Sequence, residues 1–139
     1  MHTLSSEEVR VNNLKLAYFM GGVLHKDFVD SVYTKPEDVI IFKTPPDPYA
    51  SFQWSADKLC YHEDWNWLMG VVEVIKNKGF AVCVCSDAIF IQDQNSLFRN
   101  TEVLYEDAVR VDFEEVKFLE TLYIMCVNFV GWYEEKHSS

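Results

Sequence analysis

The sequence predicts a small α+β domain in which about three helices pack on one face of a short, mostly antiparallel sheet. Of its 139 residues, 49% are apolar and 15% are aromatic, which excludes a disordered chain and suits one domain of ordinary size. Helical periodicity alternates with short β-branched runs in the order α–β–β–α–β–β–β–α. Such an order is typical of α+β folds. We therefore treat residues 1–139 as a single domain.

The first helix is predicted over about residues 6–20. Two serines followed by two glutamates at 5–8 provide a hydroxyl cap and acidic side chains near the positive helix end, and a Gly-Gly pair at 21–22 ends the helix. Residues 23–60 are expected to be an irregular segment with short strands at 39–42 and 59–62. All four prolines lie between positions 36 and 48.

The clearest element is a helix over residues 63–78, which Gly79 ends. Its apolar stripe has helical spacing and comprises Trp65, Leu68, Met69, Val72 and Ile75. Residues 80–85 and 88–91 are predicted to form two strands or one long bulged strand, and 108–111 a further strand, because β-branched and aromatic residues are concentrated there. A last helix follows from Asp112 to about Glu135, and its apolar residues cover more than half of its circumference. We expect this helix to be the hydrophobic centre of the domain.

The charge of the chain is acidic and unevenly distributed. Twelve Lys and Arg against 22 Asp and Glu leave a net charge of −10, which argues against a nucleic-acid surface and against adhesion to an anionic membrane. Acidic residues are concentrated around the start of the last helix. A patch that binds a protein partner with a basic surface is predicted there, formed by Glu102, Glu106, Asp107, Asp112, Glu114 and Glu115. A solvated helix end that compensates the helix dipole is the simpler interpretation.

A second candidate site lies at the start of the 63–78 helix. Aromatic and polar side chains that could bind a small molecule or nucleotide alternate there, namely Tyr61, His62, Trp65 and Trp67. Trp65 shares the apolar stripe and is expected to be buried, whereas Trp67 is expected to be exposed. Plain packing of these aromatic residues is the alternative interpretation.

No catalytic motif is present in the sequence, so we expect no enzyme and no cofactor. The chain has no HExxH, no glycine-rich phosphate loop and no GxSxG turn. Its four cysteines, at 60, 83, 85 and 126, lack zinc-site spacing, so no metal site is predicted and free thiols in a reducing compartment are expected. The N-terminus shows no signal-peptide pattern, and the longest apolar stretch, 122–133, is too short to span a membrane. These features predict a cytoplasmic protein.

The segment from Tyr61 to Ile75 contains the pattern W-x-W-L-M-x-V-V-E-x-I. In this pattern the chain resembles a family of small uncharacterised proteins from Bacteroidetes and their phages. Similar features of that family are matched here by Phe19-Met20-Gly21 and by residues 127–133. Gly70 stands where the family pattern has a proline. The resemblance implies a phage or mobile-element origin, hence the host cytoplasm, and implies no activity.

Two functional hypotheses follow from these observations. The first is a small acidic, non-enzymatic interaction protein, encoded by a phage, that inhibits a host defence system by binding a basic protein surface. The second is a binding protein that sequesters a nucleotide-type signal at the start of the 63–78 helix. A homo-oligomer is compatible with either, because Tyr49, Phe52 and Trp54 follow the proline segment and could cover a second subunit.

Overall fold

The structure is a computed structural model that describes residues 4–24, 39–43, 53–85, 88–93, 105–110 and 115–137. The described helices are α1 (Ser6–Phe19), α2 (Trp65–Asn77) and α3 (Glu115–His137), with a 3-10 turn at Ala56–Lys58 before α2. The described strands are β1 (Val23–Leu24), β2 (Val39–Ile41), β3 (Gln53–Ser55), β4 (Phe80–Val84), β5 (Ala88–Asp93) and β6 (Glu106–Arg110). The α+β class is confirmed.

The described strands form two separate three-stranded sheets instead of the one sheet expected. The first sheet has the order β1-β2-β3 and the second β4-β5-β6, and every neighbouring pair is antiparallel. Within the segment 23–60, expected to be mostly irregular, the described residues therefore contribute a small sheet of three short strands. The prolines and the residues Tyr49 and Phe52 lie outside the described residues.

Helix α1 begins and ends as its sequence predicts. The Ser5 hydroxyl accepts a hydrogen bond from the Glu8 backbone N–H at 3.1 Å, and the Glu8 carboxylate accepts one from the Ser5 N–H at 3.3 Å. This reciprocal arrangement satisfies two otherwise free donors. After the helix, Gly21 has φ +90, a value that favours glycine.

The prediction of a strand at 59–62 is wrong, because these residues form a turn. The Cys60 carbonyl accepts hydrogen bonds from the N–H groups of Glu63 and Asp64, at 3.1 and 3.0 Å. Asp64 then caps α2, its carboxylate accepting from the Asn66 N–H at 2.8 Å. The turn presents the His62 side chain beside the start of α2.

The buried face of α2 is rotated from the predicted stripe. Its buried residues are Trp67, Leu68, Val71, Val72 and Ile75. Met69, predicted in the core, is 39% exposed, and Trp65 is only half-buried. Trp67, and not Trp65, therefore lies on the buried face of α2.

Helix α3 lies at the centre of the hydrophobic core, as its composition predicts. Leu122, Cys126 and Phe129 are fully buried. The Phe129 ring packs edge-on against Phe80 of β4 and Tyr105 next to β6, at centroid distances of 4.9 and 5.2 Å. Helix α3 thus holds the second sheet on one side, and it packs along α1 on another.

Candidate functional site

The main candidate site is a cleft of about 500 Å³ between α1, α3 and β6. Leu4 and Val9 of the α1 region line it, and so do Asp107 and Val109 of β6. His62, from the turn before α2, also reaches the cleft. The volume falls within the range of sites that hold small molecules or single anchoring side chains.

Strand register explains why β6 contributes two side chains to the cleft. Asp107 lies opposite Ile91 and Val109 opposite Ile89. Residues directly opposite in a sheet share a face, and both isoleucines are fully buried on the face that meets the helices. Asp107 and Val109 therefore point to the helix side, where Val109 is still 36% exposed.

Helix α3 forms the floor of the cleft. The side chains at the floor are mainly apolar and come from successive turns, namely Thr121, Tyr123, Ile124, Met125 and Asn128. Ile124 is half-buried, whereas Met125 is almost fully buried. An occupant would thus cover apolar surface that is already partly desolvated.

The charged groups at the rim of the cleft are acidic. Asp107 on β6 and the exposed Glu120 on α3 both line it. Among the described residues, neither a lysine nor an arginine lines the cleft. Two carboxylates beside an apolar floor favour a cationic group on the occupant and disfavour a phosphate.

A buried polar network adjoins the cleft. Asn13 of α1 is 2% exposed, and its amide nitrogen donates to the Leu59 carbonyl at 3.0 Å. The same nitrogen lies 3.0 Å from His62 Nδ1. The Tyr123 hydroxyl donates to Asn13 Oδ1 at 2.8 Å. The network therefore joins α1, the turn before α2 and α3.

The network determines how His62 is protonated in its neutral form. Because a carbonyl can only accept, the Leu59 oxygen requires the amide nitrogen of Asn13 on its side. The second N–H of that nitrogen then donates to His62 Nδ1, which leaves the ring proton on Nε2. Glu63 Oε2 lies 3.6 Å from Nε2. His62 thus offers an N–H donor at the surface.

Burial keeps the Tyr123 hydroxyl protonated. Loss of water around the ring raises the pKa of Tyr123 well above its ordinary value of 10.0. A protonated hydroxyl is what donation to Asn13 requires. Tyr123 is thus a positioning group for Asn13.

The residues predicted for a nucleotide site at α2 are dispersed. Tyr61 is 0% and Trp67 3% exposed, so the prediction that Trp67 is exposed is wrong. Trp67 packs between Tyr61 and Trp54 at centroid distances of 5.0 and 4.8 Å. Trp65 is half-buried, and His62 lines the cleft instead. The buried indole of Trp67 presents no free face to a base.

A shallower depression lies beside the start of α2. His62 lines it together with Trp54, Lys58 and Cys60. Burial, followed by the nearby Glu63 and Asp64 carboxylates, raises the pKa of the Cys60 thiol, so this thiol is a poor nucleophile. Of the four residues predicted for the nucleotide site, this depression is lined by His62 alone.

Two residues of the predicted acidic patch can be placed with their side chains. Glu106 is exposed on β6, and Asp107 is half-buried at the cleft. Glu115 begins α3, without a described side chain, and the other members, Glu102, Asp112 and Glu114, lie outside the described residues. Glu120 belongs to the same acidic stretch of the sequence but not to the predicted patch, and it lines the cleft.

The described residues contain no cluster of His, Cys, Asp or Glu able to hold a metal ion. Cys60, Cys83, Cys85 and Cys126 are free thiols. None of the helices in the described ranges has both the length and the apolar character needed to cross a bilayer.

Comparisons of the chain with protein-family models, with curated proteins and with solved structures find no match.

Proposed function

We propose that the protein is a small, non-enzymatic interaction protein that binds a basic surface of another protein through the cleft. The observation that carries this proposal is the combination of an apolar floor with the carboxylates of Asp107 and Glu120 at the rim. An apolar side chain of the partner would bury against Ile124, while a neighbouring lysine or arginine would meet the two carboxylates. Anchors of this kind dominate protein interfaces.

The charge of the whole chain supports the same partner. A net charge of −10 attracts a basic protein over the distance of the Debye length and accelerates its association. The same charge repels nucleotides, and burial withdraws the rings of Tyr61 and Trp67, two of the three aromatic residues predicted to stack on a base. We therefore favour the protein partner over the nucleotide ligand.

The resemblance to proteins of Bacteroidetes and their phages suggests the biological setting. A phage-encoded inhibitor can act by covering a surface that its host target needs, and the basic surfaces open to it include those that normally hold nucleic acid. We propose that role for this chain, in the host cytoplasm.

The proposal is tested by selection from a random peptide-display library against the immobilised protein. Enriched peptides should combine apolar residues with lysine or arginine. Their affinity should fall about tenfold or more when Asp107→Lys and Glu120→Lys are combined, since two attractive charges become repulsive. Fluorescence anisotropy with the enriched peptides, labelled and at 150 mM salt, measures this change.

A matched control carries the same change of net charge elsewhere. Glu73→Lys combined with Glu134→Lys alters two exposed glutamates that do not line the cleft. This control should retain the affinity of the parent protein to within about threefold. Enrichment of acidic peptides, no enrichment at all, or equal losses in both double variants would overturn the proposal.

A further inference from the structure

Strand β6 forms an outer edge of the second sheet within the described part of the chain, where it pairs with β5 alone. The direction of its backbone groups follows from two hydrogen bonds. The Asp93 N–H donates to the Tyr105 carbonyl at 3.3 Å, and the Cys85 N–H donates to the Ala88 carbonyl at 2.8 Å. In antiparallel pairs, hydrogen-bonded and non-hydrogen-bonded positions alternate. Both bonds therefore indicate that odd-numbered residues of β5 bond to β6.

The alternation assigns the free backbone groups of β6. Asp107 and Val109 direct their N–H and C=O groups to β5, whereas Glu106, Ala108 and Arg110 direct theirs outwards. The side chains of these three outward residues are exposed and lie on the sheet face away from the cleft. An edge of this kind is a template for another strand.

The charges along β6 are complementary to those of a second β6 strand that runs antiparallel to it. Glu106 and Arg110 lie at its two ends, and the small Ala108 lies between them. In an antiparallel pairing centred on Ala108, each Glu106 stands opposite the Arg110 of the other strand. Opposite charges in directly opposed positions stabilise a strand pair.

We propose that a second copy of this chain pairs with β6, antiparallel and centred on a two-fold axis at Ala108. The three outward residues then become the hydrogen-bonded positions of the new pair, so register and hydrogen bonding agree. Two Glu106–Arg110 ion pairs form by symmetry. The β4-β5-β6 sheets of the two copies then join into one six-stranded sheet.

The choice of a second copy rests on the order of charges. Glu106 and Arg110 differ in sign within five residues, an arrangement that an antiparallel copy complements at both ends and a uniformly basic strand does not. A five-residue edge is small compared with standard interfaces, so the dimer is weak, with a dissociation constant in the micromolar range.

The dimer does not depend on the proposed function, since the cleft lies on the other face of β6. A two-fold axis perpendicular to the sheet keeps both clefts on the same side of the six-stranded sheet. Failure of peptide binding in the cleft variants therefore leaves the dimer untouched, and loss of the dimer leaves a single cleft able to bind.

The test is sedimentation equilibrium of the full chain at 150 mM salt, from about 5 to 500 µM. The parent protein should show a monomer–dimer equilibrium. Arg110→Glu should raise the dissociation constant about tenfold or more. Both copies carry the substitution, so both Glu106–Arg110 ion pairs become repulsive pairs of glutamates. Combining Arg110→Glu with Glu106→Arg should restore the parent value to within about threefold.

Two further variants separate pairing from folding. Ala108→Pro removes an N–H that points away from β5, and it should abolish the dimer while circular dichroism retains the parent spectrum. Lys136→Glu changes net charge as Arg110→Glu does, at an exposed site on α3, and should leave the dimer unchanged. A monomer at every concentration, or a dimer that survives both Arg110→Glu and Ala108→Pro, would overturn the proposal.

Discussion

At the scale of single residues, Asn13 has the most consequential side chain. Its amide satisfies the Leu59 carbonyl, His62 Nδ1 and the Tyr123 hydroxyl at once. Replacing it by alanine leaves buried polar groups without partners, so we expect Asn13→Ala to lower the free energy of unfolding by about 2–3 kcal/mol. Urea denaturation measures this loss.

Two comparisons test the cause of that loss. Asn13→Asp keeps the shape but replaces the donating nitrogen by an oxygen that faces the Leu59 carbonyl, so it should destabilise at least as much as alanine. Asn77→Ala, at an exposed position near the end of α2, should stay within about 0.5 kcal/mol of the parent. An Asn13→Asp protein as stable as the parent at pH 7 would contradict the network.

Sequence patterns indicate that a residue such as Asn13 is buried, but they do not identify its hydrogen-bond partners. Asn13 falls on the apolar stripe of α1, and a polar residue in that place is a recognisable sign of a buried hydrogen bond. Its partners, His62 and Tyr123, lie 49 and 110 residues away, and periodicity carries no information across that distance. Trp65 and Trp67 show the same limit, because the packing of Trp54 and Tyr61 decides which indole is buried.

At the scale of elements, two glycines should respond to alanine in opposite directions. A Cβ atom at Gly22 would lie 2.8 Å from Ile40 Cγ2 and 2.9 Å from the Ala17 carbonyl. Gly22→Ala should therefore force α1 and β2 apart and lower the free energy of unfolding by about 1–3 kcal/mol.

Gly131 is the matched position within α3. A Cβ atom there meets nothing within 4 Å, and alanine favours helix more than glycine does. Gly131→Ala should raise the free energy of unfolding by about 0.5–1 kcal/mol. Thermal denaturation of both variants checks the pair, and shifts of the melting temperature in the same direction would contradict this account of the two glycines.

The helices were more predictable than the strands for a physical reason. Each helix carries its caps and its periodicity within its own sequence, as Ser5 and Asp64 show. Strand β1 has two residues and β3 three, so neither is long enough to show alternation. The turn at Cys60 resembles a strand in composition, and the hydrogen bonds to its carbonyl decide the outcome.

At the scale of the whole molecule, stability should fall as the pH rises from about 9 towards 12. Burial raises the pKa of Cys126 from 9.0 to about 12, and burial followed by the Asp107 charge raises the pKa of Tyr105 from 10.0 to about 12. Burial raises the pKa values of Tyr61 and Tyr123 in the same direction. In this window the unfolded chain loses protons first, which favours unfolding.

The slope of the free energy of unfolding against pH identifies the contribution of Cys126. Each shifted group contributes about 1.4 kcal/mol per pH unit between its unfolded and folded pKa values. Between pH 9 and 10 the tyrosines of the unfolded chain are still mostly protonated, so Cys126→Ala should reduce the slope there. Urea denaturation at intervals of half a pH unit measures it, and a free energy of unfolding that is constant from pH 8 to 11 would refute the assignment.

The cleft itself belongs to this largest scale. Leu4, His62, Asp107 and Ile124 come from four distant parts of the chain, and only the packing of α1 and β6 on α3 brings them together. Charge counting along the sequence finds both Asp107 and Glu120 near the start of α3. It does not show that these two carboxylates line one cleft, because that depends on how β6 and α3 pack.

The pair of indoles between the first sheet and α2 has an optical consequence. Trp54 belongs to β3 and Trp67 to α2, and their rings stand 4.8 Å apart with an interplanar angle of 83°. Electronic transitions of two chromophores this close couple, and their circular dichroism depends on mutual orientation. The near-ultraviolet circular dichroism of the native protein therefore reports whether the first sheet is packed against α2. With it, loosening of that sheet can be followed during denaturation without any added label.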